Sequence, residues 1–222
     1  MINRTSVTRL GLATVALTLA LGPTATATST ADTFVPLPGG ELVETLSDGT
    51  VVTVRLTGES ANINPSLGST PVHRNAWVSG SAQVELAGTG AEAGGLVLPG
   101  YVVGCQVNIA GGGVGGGVEG ASDWEGNASA GASTSGELSL GPGQSKSFYI
   151  LDREKADDFG AESHKAYNVF SGGSGSVTWS DQTIGLSGCG GYAQARAFVS
   201  VEIVTDRVTS WVTLWGQPFS LG

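Results

Sequence analysis

Between Gly100 and Gly143 lie 14 of the chain's 36 glycines, and few side chains there are large enough to build a core. A stretch so poor in apolar bulk cannot offset its ordering entropy by burying itself. Either it is a linker, or it is ordered from outside its own fold, for instance by neighbouring copies of the chain. At its centre, between runs of Gly, Ala and Ser, stands Asp123-Trp124-Glu125.

The two halves of this stretch carry a strand period. On the return side Ala128, Ala130, Ala132, Thr134, Leu138 and Leu140 alternate with Ser129, Ser133, Ser135, Glu137 and Ser139. That alternation suits a strand with one wet and one apolar face. The outbound side starts in the same way, with Val103, Cys105, Val107 and Ile109 set against Gln106 and Asn108. Val114 and Val118 then fall on the opposite parity, so a bulge or break is expected at Gly111-Gly112-Gly113. Cys105 to Leu140 therefore reads as one long β-hairpin with Asp123, Trp124 and Glu125 near its tip.

Elsewhere no sustained helical period occurs. Ala193, Ala195, Ala197, Val199, Val201 and Ile203 alternate with polar or bulky residues, which predicts a half-buried strand. Thr205-Asp206-Arg207 is a turn candidate, and Val208 to Trp215 a return strand with Val212 and Leu214 on one face and Trp211 and Trp215 on the other. Val51–Thr57 after the Asp48-Gly49 turn, Ala76–Leu86, Phe148–Leu151 and Ser176–Trp179 are further strands. Asp152–Tyr167 is polar and reads as a solvated face or loop with room for a helical turn. A calcium site there is conceivable, but the spacing of an EF-hand loop is absent. Short strands, Gly-rich turns and no strand–helix alternation predict an all-β chain, a β-sandwich of residues 32–100 plus 144–222 with a Gly-rich hairpin arm at 101–143 inserted.

The N-terminus reads differently. Arg4 and Arg9 precede the short apolar run Leu10–Leu21, and small residues follow through Ala27 and Ala31. This is the pattern of a secretory signal peptide over residues 1–31, cleaved after Ala31 or Ala27. From Asp32 onward, 19 acidic residues face eight basic ones, a net charge of −11. Such a surface disfavours nucleic acid and attracts cations. In an exported chain the isolated pair Cys105 and Cys189 reads as a disulfide, worth roughly 4–5 kcal/mol on the chain-entropy argument.

No catalytic motif is present. G-x-S-x-G is missing, and His73 and His164, which read as exposed loop residues, have no zinc-ligand partner at helical spacing. Asp123 and Glu125 on a glycine-rich arm would lack the rigid, desolvated pocket that acid–base chemistry needs. The chain is expected to be neither an enzyme nor a metalloprotein, and no cofactor is implied. Trp77, Trp179, Trp211 and Trp215 sit at strand positions suited to core or subunit packing.

Gly100-Tyr101-Val102-Val103-Gly104, Gly188-Cys189-Gly190-Gly191 ahead of the AQARAFVSV strand, and Trp215-Gly216-Gln217-Pro218-Phe219, in that order and spacing, resemble the MspA-like porins of mycolic-acid-containing bacteria. The resemblance covers essentially the whole mature chain. It implies a homo-octamer in which each subunit gives a β-sandwich rim domain and a two-stranded arm, the arms closing into a barrel through the outer mycolate membrane. By position it implies that Asp123 and Glu125, with Glu119 and Trp124 nearby, lie at the channel's constriction. The expected function is passive, cation-preferring diffusion of ions and small hydrophilic solutes, with other copies of the chain and membrane lipids as partners. The competing reading is a secreted or surface-attached sandwich that binds a glycan or a protein and keeps the glycine segment as a flexible loop.

Overall fold

The computed structural model describes residues 32–65, 70, 72–107, 109, 138–140, 143–156, 158–160 and 162–222. Among them every regular element is a strand. The chain runs β1 (Thr33–Pro36), β2 (Gly40–Thr45), β3 (Thr50–Pro65), β4 (Arg74–Gly88) and β5 (Gly95–Cys105). It continues through β6 (Leu138–Ser139), β7 (Ser145–Tyr149), β8 (Arg153–Ala156), β9 (Glu162–Lys165) and β10 (Asn168–Phe170). It closes with β11 (Ser174–Ser187), β12 (Ala193–Val204) and β13 (Thr209–Ser220).

These strands form an all-β sandwich. The first sheet has the order β1-β3-β4-β11-β6, with β2 beside β1 on the same edge of β3. The second has the order β10-β5-β12-β13, with β7 beside β10 on the same edge of β5. All pairs are antiparallel except β6 on β11. β8 and β9 make a separate two-stranded hairpin.

The core is where the two apolar faces meet. Val52, Val54 and Leu56 of β3, Val78 and Val84 of β4 and Ile184 and Leu186 of β11 point inward from the first sheet. Val97, Tyr101 and Val103 of β5 and Val199, Val201 and Ile203 of β12 meet them from the second. Each such aliphatic side chain contributes about 1.5–3 kcal/mol on full burial. The alternation predicted for β12 is present: Ala193, Ala195, Ala197, Val199, Val201 and Ile203 are all buried.

One aromatic bridge ties the sheets together. Trp179 of β11 donates its indole N–H to the Tyr101 hydroxyl at 3.2 Å, and the two rings meet edge to face. Gly80 makes room for the indole, since a Cβ there would stand 2.6 Å from Trp179 Cζ2. Of the four tryptophans placed on strands from sequence, Trp179 alone is in the core. Trp77 is on the outer face of the first sheet, Trp211 and Trp215 on that of the second, and all three are exposed.

The turns of the two sheets meet at the end remote from Cys105. Thr50 N–H and the Thr205 hydroxyl donate to the two carboxyl oxygens of Asp48, at 3.0 and 2.8 Å, and so hold its pKa below the usual carboxylate value. The Asp48-Gly49 turn, with Gly49 at φ 86°, thereby joins the turn at Thr205, whose N–H donates to the Val208 carbonyl.

The polar stretch Asp152–Tyr167 has no helical turn among its described residues. In the β8–β9 hairpin Arg153 is opposite Lys165 and Glu154 opposite His164, so His164 lies in strand β9 rather than in a loop. His73, by contrast, does sit in a turn, where Thr70 Oγ1 hydrogen-bonds its Nδ1.

Candidate functional site: the root of the glycine-rich segment

β5 runs unbroken from Gly95 through the buried Tyr101 to Cys105. Residues 101–105 are thus a sandwich strand, paired with β12 throughout and with β7 up to Gly104. The segment able to leave the sandwich begins beyond Cys105.

Cys105 is disulfide-bonded to Cys189, with Cα atoms 5.9 Å apart. The bond links the end of a second-sheet strand to the loop that follows β11 of the first sheet. It therefore fastens both sheets at the place where β5 ends and the glycine-rich segment begins. Beyond it, Gln106 N–H donates to the Tyr192 carbonyl at 2.9 Å and Ile109 N–H to the Gly188 carbonyl at 2.8 Å. Gly190 N–H donates back to the Val107 carbonyl at 2.9 Å. The Gly188-Cys189-Gly190-Gly191 loop is the strip against which the outbound segment lies, and a Cβ on Gly190 would press on Ile109 at 3.2 Å.

The return reaches the same strip. Leu138 and Ser139 pair with Leu186 and Ser187, adjoining Gly188. Leu140 is buried in the core. Gly143 N–H is shared by the carbonyls of Cys105 and Gln106 at 3.1 and 3.2 Å, and Cys105 N–H donates to the Gln144 carbonyl. β7 then continues antiparallel to β5. Both ends of the glycine-rich segment are consequently held against one end of the sandwich, in the geometry of a hairpin root.

Beside this root the outer face of the second sheet carries a groove of about 740 Å³, lined by Val102, Gln106, Gln194, Arg196 and Trp215 among others. Arg196 stacks on the Trp215 ring, its guanidinium carbon 5.2 Å from the centroid, and donates from Nε to the Gly216 carbonyl at 2.8 Å. Val107 and Ile109 expose apolar side chains at the mouth of the root.

The residues singled out for a constriction, Asp123, Glu125, Glu119 and Trp124, lie outside the described residues. The structure does place Cys105 and Cys189 together as expected. Two further features had no clear sequence signal. Glu59 of β3 is 2% exposed and neither carboxyl oxygen has a hydrogen-bond partner among the described residues. Burial pushes its pKa up to about 7. The β-bulge between Thr57 and Ser60, entered at Gly58 with φ 62°, accompanies its burial, and Gly216 leaves the space: a Cβ there would stand 2.8 Å from Glu59 Oε2. The second feature, at Asp152, Glu154 and His164, depends on strand register, which a residue-by-residue reading does not supply.

Comparison with known families matches residues 48–220 to the family described as MspA, well over half of the chain and straight across the glycine-rich segment. No curated protein matches the chain.

Proposed function

The chain belongs to the MspA family, a family of porins, and on that premise we propose that it assembles into a homo-oligomeric outer-membrane channel. Ions and small hydrophilic solutes cross it passively, cations preferentially. The observation that carries this reading is the root geometry. A long segment with little apolar bulk departs from and returns to one disulfide-fastened end of a sandwich, as a barrel stave must.

A solitary hairpin of this composition leaves two unpaired edges and is marginal in water. In a closed ring of copies every edge is paired, and closed barrels are the only sheets whose backbone is satisfied in lipid. A tilted strand of about 9–11 residues crosses a bilayer, and residues 111–122 and 126–137 suffice. In this arrangement residues 1–31 are the export signal, 32–100 plus 144–222 the rim and 101–143 the arm, whose described ends, within 101–109 and 138–143, form its root on the sandwich. Asp123 and Glu125, with Glu119 and Trp124 near them, line the constriction. Repetition of the two acids around the ring, an octamer as in the family resemblance, concentrates cations there as charged rings do in other channels. Trp77 on one outer face and Trp211 and Trp215 on the other suit a ring in which unlike faces of successive subunits meet.

The decisive experiment is extraction in detergent followed by planar-bilayer recording. An SDS-resistant oligomer that gives stepwise conductance is expected. A chain that stays monomeric and never conducts would instead be a secreted binding domain.

A further inference from the structure

The β8–β9 hairpin assembles three metal-ligating groups that conduction through the arm does not use. Glu154 and His164 are directly opposed in the register, flanked by the pair Arg153 and Lys165. Directly opposed residues share a face with Cβ atoms about 4.5–5.5 Å apart. Asp152 precedes Glu154 by two residues, the strand period, and so comes to the same face. Its Oδ1 lies 2.7 Å from His164 Nδ1. One donor atom from each of Asp152, Glu154 and His164 can be chosen so that all lie within 4.8 Å of one another.

We propose that Asp152, Glu154 and His164 form a binding site for a divalent transition cation of the zinc class.

The donor set selects that class. Calcium takes six to eight oxygens and magnesium a near-ideal octahedron of them, whereas one imidazole nitrogen with two carboxylates suits zinc, which keeps water in the remaining positions. Ligand bonds of about 2.0–2.2 Å let one ion bridge donors about 4 Å apart, so side-chain rotation closes the set around it. A dication neutralises the two carboxylates. Asp152 strengthens the case, because its side chain is only 14% exposed and its carboxylate has been withdrawn from water beside the ring. His164 is 52% exposed, which leaves an entry path.

The composition of the chain makes the test clean. Both cysteines are tied in the disulfide, and there are only two histidines. Imidazole-dependent binding must therefore run through His164 or His73. The full chain, freed of metal with a chelator, is titrated with Zn²⁺ by calorimetry and with Co²⁺ by visible absorption. One equivalent per chain is expected, together with a metal-dependent rise in the denaturation midpoint. His164→Ala and Glu154→Gln should each weaken binding at least tenfold and abolish that rise, while His73→Ala changes neither. Glu154→Gln keeps the side chain's shape and stands in should His164→Ala misfold. No uptake by the wild type, undiminished affinity in the folded variants, or loss of binding in His73→Ala would overturn the proposal. Because the hairpin lies in the sandwich domain, these outcomes are independent of whether the chain conducts.

Discussion

Trp179 of the first sheet donates its indole N–H to the hydroxyl of Tyr101 in the second, 3.2 Å away in the buried interior. Trp179 is 4% exposed and Tyr101 fully buried, and Phe148 and Phe219 also lie against the Tyr101 ring. The bond satisfies the one polar atom of the largest side chain in the core.

Tyr101→Phe keeps the ring contacts and removes the acceptor. The orphaned indole N–H then costs about 1–3 kcal/mol. The guanidinium midpoint should fall with an unchanged slope. A midpoint at or above that of the wild type would mean that burying the hydroxyl costs more than its bond returns.

Glu59 reverses the usual pH dependence of a carboxylate. Its pKa is raised to about 7 in the fold from 4.5, chiefly by desolvation, and the neighbouring Tyr101 hydroxyl is itself held protonated by burial. Below pH 4.5 both folded and unfolded states are protonated and there is no penalty. As pH rises from there toward 7 the unfolded chain loses the proton first, so stability falls, and above 7 the loss is constant. Its size is about 3–4 kcal/mol. Glu59→Gln should remove this decline and be more stable than wild type at pH 8 but not at pH 4. Parallel pH–stability curves for the two proteins would exclude the effect.

The disulfide closes a sequence separation of 84 residues at the root of the glycine-rich segment. Replacing Cys105 and Cys189 with serine should lower stability by about 2–5 kcal/mol. Intact-mass analysis after alkylation of the denatured, unreduced wild type should find no free thiol. Two alkylated cysteines would contradict the pairing.

Charge neutralisation tests the constriction. Asp123→Asn with Glu125→Gln should reduce cation preference, read as a shift in reversal potential under a salt gradient, with conductance still present. An unchanged reversal potential would remove these two acids from the narrowest point.

Much of the fold is legible locally. The alternation of Ala193 to Ile203 predicts both strand β12 and its buried face, because side chains of a strand repeat every second residue whatever lies above them. Asp48-Gly49 marks its turn for an equally local reason, since Gly49 supplies the positive φ. Trp211 and Trp215 show the limit. Alternation placed them together on one face, but among the described residues that face is exposed, and of the four strand tryptophans Trp179 alone meets an opposing sheet.

The sequence by itself determined that this chain is all-β, which residues share a strand face, and that its glycine-rich middle cannot form a core. Tertiary structure alone decided that both ends of that middle are held at one root, that Glu59 is buried beside Gly216, and that Asp152, Glu154 and His164 converge. The physical reason is the range of the interactions. Strand period and turn chemistry act between neighbours along the chain, whereas burial and convergence depend on pairing register and on the opposing sheet, and these bring together residues distant in sequence.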